Sequence, residues 1–393
     1  MFKIKTFNNI AQCGLQRFSS DEFTVGADVD AAQAYLLRSQ KLHDTPIGSE
    51  LLAVARAGAG VNNLPVEEYS RRGIVAFNTP GANANAVKEL VLAGLLLSSR
   101  DILGGRDYVT GLTHIDDEAA MHKLLEAEKK RFAGRELKGK TLGVIGLGAI
   151  GSMVAEMALA LGMRVLGFDP ALSVDAAWKL PSQVERTENI AQLLAACDYV
   201  TVHVPALEVT RHMLNAETLA HMPPHAALLN FARETIVDAD AVIEALDAKR
   251  LRQYVCDFPT PGFIGRLDVI ALPHIGASTA EAEDNCAVMA ADQLRHYLLD
   301  GNIVNSVNFP HASAPRVPGS CRVTFSNHNV AGVLGRVLSV FADHNINVID
   351  MLNKSRGELA YNILDLADAP TQAALAAIAE IDAVIRVRQV PGC

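Results

Sequence analysis

The sequence predicts an α/β protein with a doubly wound parallel sheet at its centre and a compact βαββαβ unit at its C-terminus. Three observations predict it. From Thr141 the segments TLGVI, RVLGF, YVTVHV, AALLNF, QYVC and VIAL form six short apolar runs. Most are continuous in Val, Ile or Leu, as strands buried on both faces are. Helical segments at 149–162, 188–196, 214–221 and 238–248 separate the first five runs, the rhythm of a doubly wound sheet. Residues 321–393 read strand, helix (Val333–His344), strand, strand, helix (Thr371–Glu380), strand.

The remaining elements follow in order. Lys3–Phe7, Tyr35–Leu37, Leu52–Ala55 and Ile74–Phe77 are short apolar runs bounded by turn signals, with a helix at Val66–Arg72. Strands alternating with helices imply another parallel sheet. Ala82–Leu103 reads as one long helix, apolar nearly all round in its middle and therefore buried between other elements. Asp116–Arg131 is charged and helical, a solvated face, whereas 257–268 is loop-like. A second long helix spans Ser278–Leu299, and a linker rich in Pro, Ala and Ser, 310–320, leads to the C-terminal unit.

Composition bounds the function. A chain of 393 residues suggests two to three domains at about 100–200 residues each. Lys and Arg total 35 against 44 Asp and Glu, a net charge of −9. That balance argues against a general nucleic-acid binder, which needs clustered cations. The cysteines, Cys13, Cys197, Cys256, Cys286, Cys321 and Cys393, form no C-x-x-C pair. Six reduced thiols and no structural metal are expected. The N-terminus lacks a signal-type apolar core, and Leu90–Leu97 is too short to span a bilayer. A cytoplasmic protein with no membrane partner is expected.

Gly146-Leu-Gly148-Ala149-Ile150-Gly151 lies directly after the strand TLGVI and opens a helix. The first glycine makes a tight turn, the second admits a pyrophosphate, and the third packs helix on strand. The helix N-terminus adds amide donors and partial positive charge. Asp169 ends the next strand, 18 residues after Gly151. A carboxylate there accepts from both ribose hydroxyls and repels a 2′-phosphate, which favours NAD over NADP. The alternative is a tight flavodoxin-like turn with Asp169 capping a loop.

Ligands of such sheets bind beyond the carboxyl ends of the strands. The polar residues there are His203 after the third strand, Arg233 after the fourth, Asp257 after the fifth and His274 after the sixth. A guanidinium fork suits bidentate binding of a substrate carboxylate. An imidazole at position 274 suits proton transfer to or from a hydroxyl. The alternatives are a structural ion pair for Arg233 and a satisfied loop histidine for His274. His203 reads as structural, inside an apolar strand.

At this point the chain resembles the D-isomer-specific 2-hydroxyacid dehydrogenases, and within them the short, regulated enzymes acting on phosphoglycerate. ARAGAGVNN at 55–63, NTPGANANAVKEL at 78–90, KGKTLGVIGLGAIG at 138–151, HVP at 203–205, NFARETIVD at 230–238 and LPHIGAST at 272–279 carry the resemblance over nearly the whole chain. It implies an NAD-binding Rossmann domain, 98–279, inserted in a smaller flavodoxin-like substrate domain, 1–97 with 280–310. It implies NAD-dependent oxidation of 3-phospho-D-glycerate to 3-phosphohydroxypyruvate, the first step of L-serine biosynthesis, by a homodimer or homotetramer. Arg233 and His274 are the implied catalytic pair. Arg56 faces the substrate phosphate, and Asn83 lies in a loop over the substrate. The implied cofactor set is Gly146, Gly148, Ala149, Ile150, Gly151, Asp169, Val204, Pro205, Thr210, Ala232, Arg233, Asp257, His274, Gly276 and Ala277. Arg38 and Lys41 are further cation candidates, with a solvated loop as the alternative. The other readings are a related enzyme, such as a glyoxylate or hydroxypyruvate reductase, and a non-catalytic sensor of NAD and an amino acid.

Two departures from the family pattern stand out. The family's glutamate, a few residues beyond the Asp257 position, hydrogen-bonds the catalytic histidine. Here no carboxylate occurs between Asp257 and Asp268. An opposite charge raises a histidine's pKa, so its absence predicts a less basic His274, unless Asp257 substitutes. The second departure lies in the C-terminal unit, RVTFSNHNVAGVLGRVLSVFADHNINVIDM, which resembles an ACT domain, a module that binds amino acids. The implied effector residues are Asn327, Asn329 and Asn347, with L-serine as ligand. Asn327 replaces a usual histidine and Ala331 a usual proline. Amide side chains still suit both a carboxylate and an ammonium group.

Overall fold

The computed structural model describes residues 1–392. Cys393, the last residue of the C-terminal unit, lies outside the described residues. The chain divides into two compact units, Met1–Asn83 with Ala280–Cys393, and Ala84–Thr279. Helix Ala84–Ser99 thus falls in the second unit, although the sequence places residues to 97 with the substrate part.

The first unit opens with β1 (Phe2–Thr6), α1 (Gln12–Leu15), β2 (Phe23–Gly26), β3 (Ala34–Leu37), β4 (Ala53–Arg56), α2 (Val66–Arg71) and β5 (Val75–Phe77). These strands form one parallel sheet in the order β2-β1-β3-β4-β5, the flavodoxin-like order. Alternation along the strands explains its two cores. Ile4, Leu36, Ala55 and Phe77 face one core, whereas Leu37, Val54 and Ala76 join Leu42, Leu51 and Tyr69 in the other. Strand β2 and helix α1 are not predicted from the sequence, because four residues are too few to establish a period.

The second unit comprises α3 (Ala84–Ser99), α4 (Ile102–Thr110), α5 (Glu118–Glu128), β6 (Thr141–Ile145), α6 (Ala149–Ala160), β7 (Arg164–Phe168), α7 (Val174–Ala177), β8 (Glu185–Arg186), α8 (Ile190–Ala196), β9 (Tyr199–Val202), α9 (Ala216–Leu219), β10 (Ala227–Asn230), α10 (Ala239–Asp247), β11 (Gln253–Cys256) and β12 (Val269–Ala271). Its sheet is wholly parallel, in the order β12-β11-β10-β9-β6-β7-β8. The direction of winding reverses between β6 and β9, the point where such sheets bind ligands. Val200, Leu228 and Tyr254 face one helical layer, and Tyr199, Leu229 and Val255 face α3 and α6. The two-residue edge strand β8 adds a seventh strand to the six expected.

The long helix expected at Ala82–Leu103 is two helices. Asp101 accepts the Gly104 N–H at 2.9 Å and so starts α4 as an N-cap. No residue of α4 or α5 is buried, in keeping with a solvated 116–131.

The first unit resumes with α11 (Ala280–Asp300), β13 (Cys321–His328), α12 (Val333–Asp343), β14 (Val348–Arg356), β15 (Leu359–Leu366), α13 (Gln372–Ala379) and β16 (Val384–Gln389). The last four strands form an antiparallel sheet, β14-β15-β13-β16. One face buries Val323, Phe325, Leu364 and Leu366 under α12 and α13. The other contributes Tyr361 and Ile363 to the core around α11. Polar anchors reinforce that second face. Arg322 is fully buried, binds Asp365 bidentately at 2.7 and 2.8 Å, and donates to the carbonyls of Asp300, Ala314 and Pro315. Arg388 donates to the Tyr297 carbonyl and lies 4.5 Å over its ring centroid. Cys13, Cys197, Cys256 and Cys286 are free thiols, but Cys321 is disulfide-bonded, which corrects the expectation of six reduced cysteines.

Candidate active site

The Gly-rich turn stands at the carboxyl end of β6. Gly146 has φ +88°, and a Cβ there would lie 2.7 Å from the His203 carbonyl oxygen. A Cβ on Gly151 would lie 1.9 Å from the Gly146 carbonyl oxygen. Gly148, by contrast, faces open space and caps α6 with no side-chain acceptor. The helix N-terminus, beginning at Ala149 and Ile150, therefore opens to a ligand with its amides uncapped by a side chain. Asp169 stands beside this turn, accepting from the Leu147 N–H at 2.8 Å and the Ala171 N–H at 2.9 Å.

The next strand end is built around a histidine and a threonine. The His203 Nε2 lies 2.9 Å from the Thr201 Oγ1. His203 keeps some exposed surface, but its Nδ1 is sealed from solvent without a partner, and burial lowers its pKa to about 3. The ring is neutral at physiological pH, which suits a structural role. Val204 and the exposed Pro205 lead into a turn closed by Thr210. Its Oγ1 accepts from the Leu207 N–H and donates to the Pro205 carbonyl at 2.7 Å.

Beyond β10, β11 and β12 the structure gathers the proposed reacting groups. Asn230, fully buried at the end of β10, accepts from the Ala232 N–H and donates to the Arg233 carbonyl. This fixes the loop carrying the half-buried Arg233 guanidinium. Asp257 is 1% exposed, and its two oxygens accept the backbone N–H groups of Ile275 and Gly276 at 2.8 and 2.6 Å. The carboxylate is thus committed to the backbone after β12, where Ala277 is half-buried. His274 is exposed, with a positive φ of +58°. Its ring centroid lies 4.6 Å from that of Phe258, and the Arg233 guanidinium carbon lies 5.9 Å from the same Phe258 ring. Among the described residues, no carboxylate forms an ion pair with His274; the paired histidines are His212 and His225.

In the first unit, Arg56 ends β4 and its Nε donates to the Arg38 carbonyl at 3.0 Å. Asn63 donates to the carbonyls of Arg38 and Gln40 and so shapes the same loop. The Arg38 guanidinium pairs with Glu283 at 2.7 Å, and Lys41 is exposed. Asn83 holds a buried Oδ1 without a partner.

The three C-terminal asparagines are not brought together. Asn327 is buried, donates to the His328 carbonyl and accepts from Asn362. Its amide is therefore already committed within the sheet. Asn329 is exposed beside the Gly357 carbonyl, at the end of the sheet where His328 pairs with Leu359. Asn347 precedes Val348, at the opposite end, where Val348 pairs with Leu366.

Comparison with known proteins agrees with this architecture. Residues 107–276 match the family described as D-isomer specific 2-hydroxyacid dehydrogenase, NAD binding domain, and residues 322–383 match the ACT domain. A D-3-phosphoglycerate dehydrogenase of Haemophilus influenzae is 32% identical over 351 residues, covering 86% of this chain and 81% of that protein. One from Synechocystis is 37% identical over 269 residues, but those cover only 46% of that longer protein and 67% of this chain. The crystal structure of NAD+-bound 3-phosphoglycerate dehydrogenase from Entamoeba histolytica has a TM-score of 0.60 at 24% identity, covering 78% of this chain and 98% of that one.

The chain belongs to the D-isomer-specific 2-hydroxyacid dehydrogenases.

Membership makes NAD the cofactor of the seven-stranded unit, and the residues fit it. The open position of Gly148 leaves room for a pyrophosphate against the start of α6. The Asp169 charge, held by two amides, suits a ribose diol and opposes a 2′-phosphate. Among the described residues, no helix is long and apolar enough to cross a membrane. Two site residues escape the sequence analysis. Asn230 carries a signal, a polar residue ending an otherwise apolar strand. Phe258 carries none, because its place between Arg233 and His274 depends on packing.

Proposed function

We propose that this chain oxidises 3-phospho-D-glycerate to 3-phosphohydroxypyruvate with NAD, entering L-serine biosynthesis. The observation that carries the reading is the likeness to D-3-phosphoglycerate dehydrogenases, which at 32% identity extends over 86% of the chain. In this reading the seven-stranded unit binds NAD, the five-stranded sheet binds substrate, and the ACT module senses an amino acid.

Each role follows from chemistry at a stated group. The Arg233 guanidinium binds the substrate carboxylate through paired N–H donors. The imidazole of His274 accepts the proton of the C2 hydroxyl as the C2–H bond breaks. NAD, when bound, takes the hydride from C2. Arg56 supplies the cation for the substrate phosphate, its Nε held by the Arg38 carbonyl. Asn83 belongs to the loop assigned to the substrate in this reading. Asp257 and Gly276 hold the backbone that carries His274.

L-serine is the proposed effector. Because Asn329 and Asn347 stand at opposite ends of one ACT sheet, a site using both takes them from two chains. This supports a homodimer or homotetramer; a cytoplasmic location is part of the same proposal. The test is NADH formation from 3-phosphoglycerate and NAD at alkaline pH, with and without millimolar serine. Turnover suppressed by serine is expected. No turnover of this or any other 2-hydroxy acid would remove the reading. The Arg56→Ala variant separates it from a reductase of small keto acids, since only a phosphate-reading enzyme should lose KM.

A further inference from the structure

The imidazole of His274 has no carboxylate partner among the described residues: Asp257 spends both oxygens on backbone amides, and Asp268 pairs with Arg266. What the ring does touch is Phe258. The centroids lie 4.6 Å apart at an interplanar angle of 50°, a favourable aromatic geometry. The same phenyl ring has the Arg233 guanidinium 5.9 Å from its centroid. We propose that Phe258 is the positioning residue for His274, holding the imidazole by ring contact and setting its separation from Arg233. This rests on the reading of His274 as the acid–base group.

One dipeptide then fixes the histidine twice. Asp257 anchors the two amides that follow His274 and so sustains its left-handed backbone. Phe258, the next residue, fixes the ring. During oxidation His274 gains a proton and becomes a cation beside a π face, which attracts cations more weakly than a carboxylate does. Charged groups on elements packed around this turn include Arg233, Glu89 and Lys88. Arg233 lies on the β10 loop. On α3, whose Val87 and Leu90 would touch a Cβ at Gly276, Glu89 accepts from the Asn85 amide and Lys88 donates to it. In this proposal the imidazole is oriented by shape, through ring contact and a clamped backbone.

The test uses the full-length chain labelled with 13C at histidine Cε1, the His274 signal being assigned by its loss in His274→Gln. Phe258→Leu, Phe258→Tyr and Phe258→Glu are compared in NMR titrations and in steady-state kinetics. The His274 signal should carry a ring-current shift that Phe258→Leu abolishes and Phe258→Tyr retains. In Phe258→Glu the His274 pKa should rise, moving the acid limb of kcat/KM to higher pH. With 3-phosphoglycerate, kcat should fall on the order of tenfold or more in Phe258→Leu, at unchanged KM for NAD, and recover in Phe258→Tyr. An unchanged His274 signal in Phe258→Leu overturns the proposal. So does an unchanged kcat with active enzyme. If the unaltered chain turns over no 2-hydroxy acid, the functional reading fails, and the NMR comparison still decides whether Phe258 orients the ring.

Discussion

The carboxylate of Asp257 accepts the backbone N–H of Gly276 at 2.6 Å, two residues past the imidazole of His274, the proposed acid–base group. A buried acid is thereby turned into a clamp on the turn after β12, and Gly276 is where it grips. A Cβ at that position would lie 2.9 Å from the Asp257 Oδ2.

Replacing Asp257 by Asn presents an NH2 to one of two amides that need an acceptor. The expected result is a loss of about 1–3 kcal/mol in stability. A fall in kcat on the order of a hundredfold accompanies it, because His274 is misplaced. Gly276→Ala should show the same kinetic defect through displacement of the carboxylate. Thermal unfolding with kcat and KM, measured on both variants, checks this.

Asp169 is the proposed determinant of cofactor choice, and its carboxylate holds the Leu147 amide in the Gly-rich turn. Asp169→Ser should relax the preference for NAD over NADP by about tenfold or more, since a repelled 2′-phosphate becomes tolerated. KM for NAD should also rise as the turn loosens. The ratio of kcat/KM for the two nucleotides reads both effects.

Burial holds the His203 pKa near about 3, below its ordinary value of about 6.5. The unfolded chain therefore takes a proton there at a higher pH than the folded one. The folded state keeps this contribution above about pH 6.5 and loses it as the pH falls toward about 3. His203→Asn should flatten the acid side of the stability curve over that window. Chemical unfolding at a series of pH values shows whether the slope changes.

Arg322 and Asp365 form a fully buried pair that ties the ACT sheet to the end of α11 and the linker. Asp365→Ala leaves the guanidinium uncompensated and should cost about 3–5 kcal/mol. Arg322→Met combined with Asp365→Leu should cost less than Asp365→Ala alone. Unfolding midpoints of the single and double variants decide it.

Most of the central sheet is legible in the sequence, because strands buried on both faces are written as continuous apolar runs. TLGVI and QYVC coincide with β6 and β11 residue for residue. Short elements are not legible: α1, β2 and β8 have too few residues to show a period. The break at Arg100–Asp101 is written in the sequence as Ser-Ser-Arg-Asp, but the apolar stretch on its N-terminal side masks it. The polar residues at the strand ends of the site are legible as residue types, whereas their partners are not. Nothing in Asp257-Phe258 says that the acid will grip a backbone and the phenyl ring an imidazole. Likewise Asn327 reads as an effector ligand, yet Asn362 and the His328 carbonyl already use its amide.

The central claim is an NAD-dependent oxidation that reads a phosphate in the first unit. The most direct measurement is NADH formation from 3-phospho-D-glycerate and from unphosphorylated D-glycerate, by the unaltered chain and by Arg56→Ala. The account predicts a strong preference for the phosphorylated acid that Arg56→Ala removes through KM. Equal rates on the two acids, or a preference untouched by loss of Arg56, would contradict it.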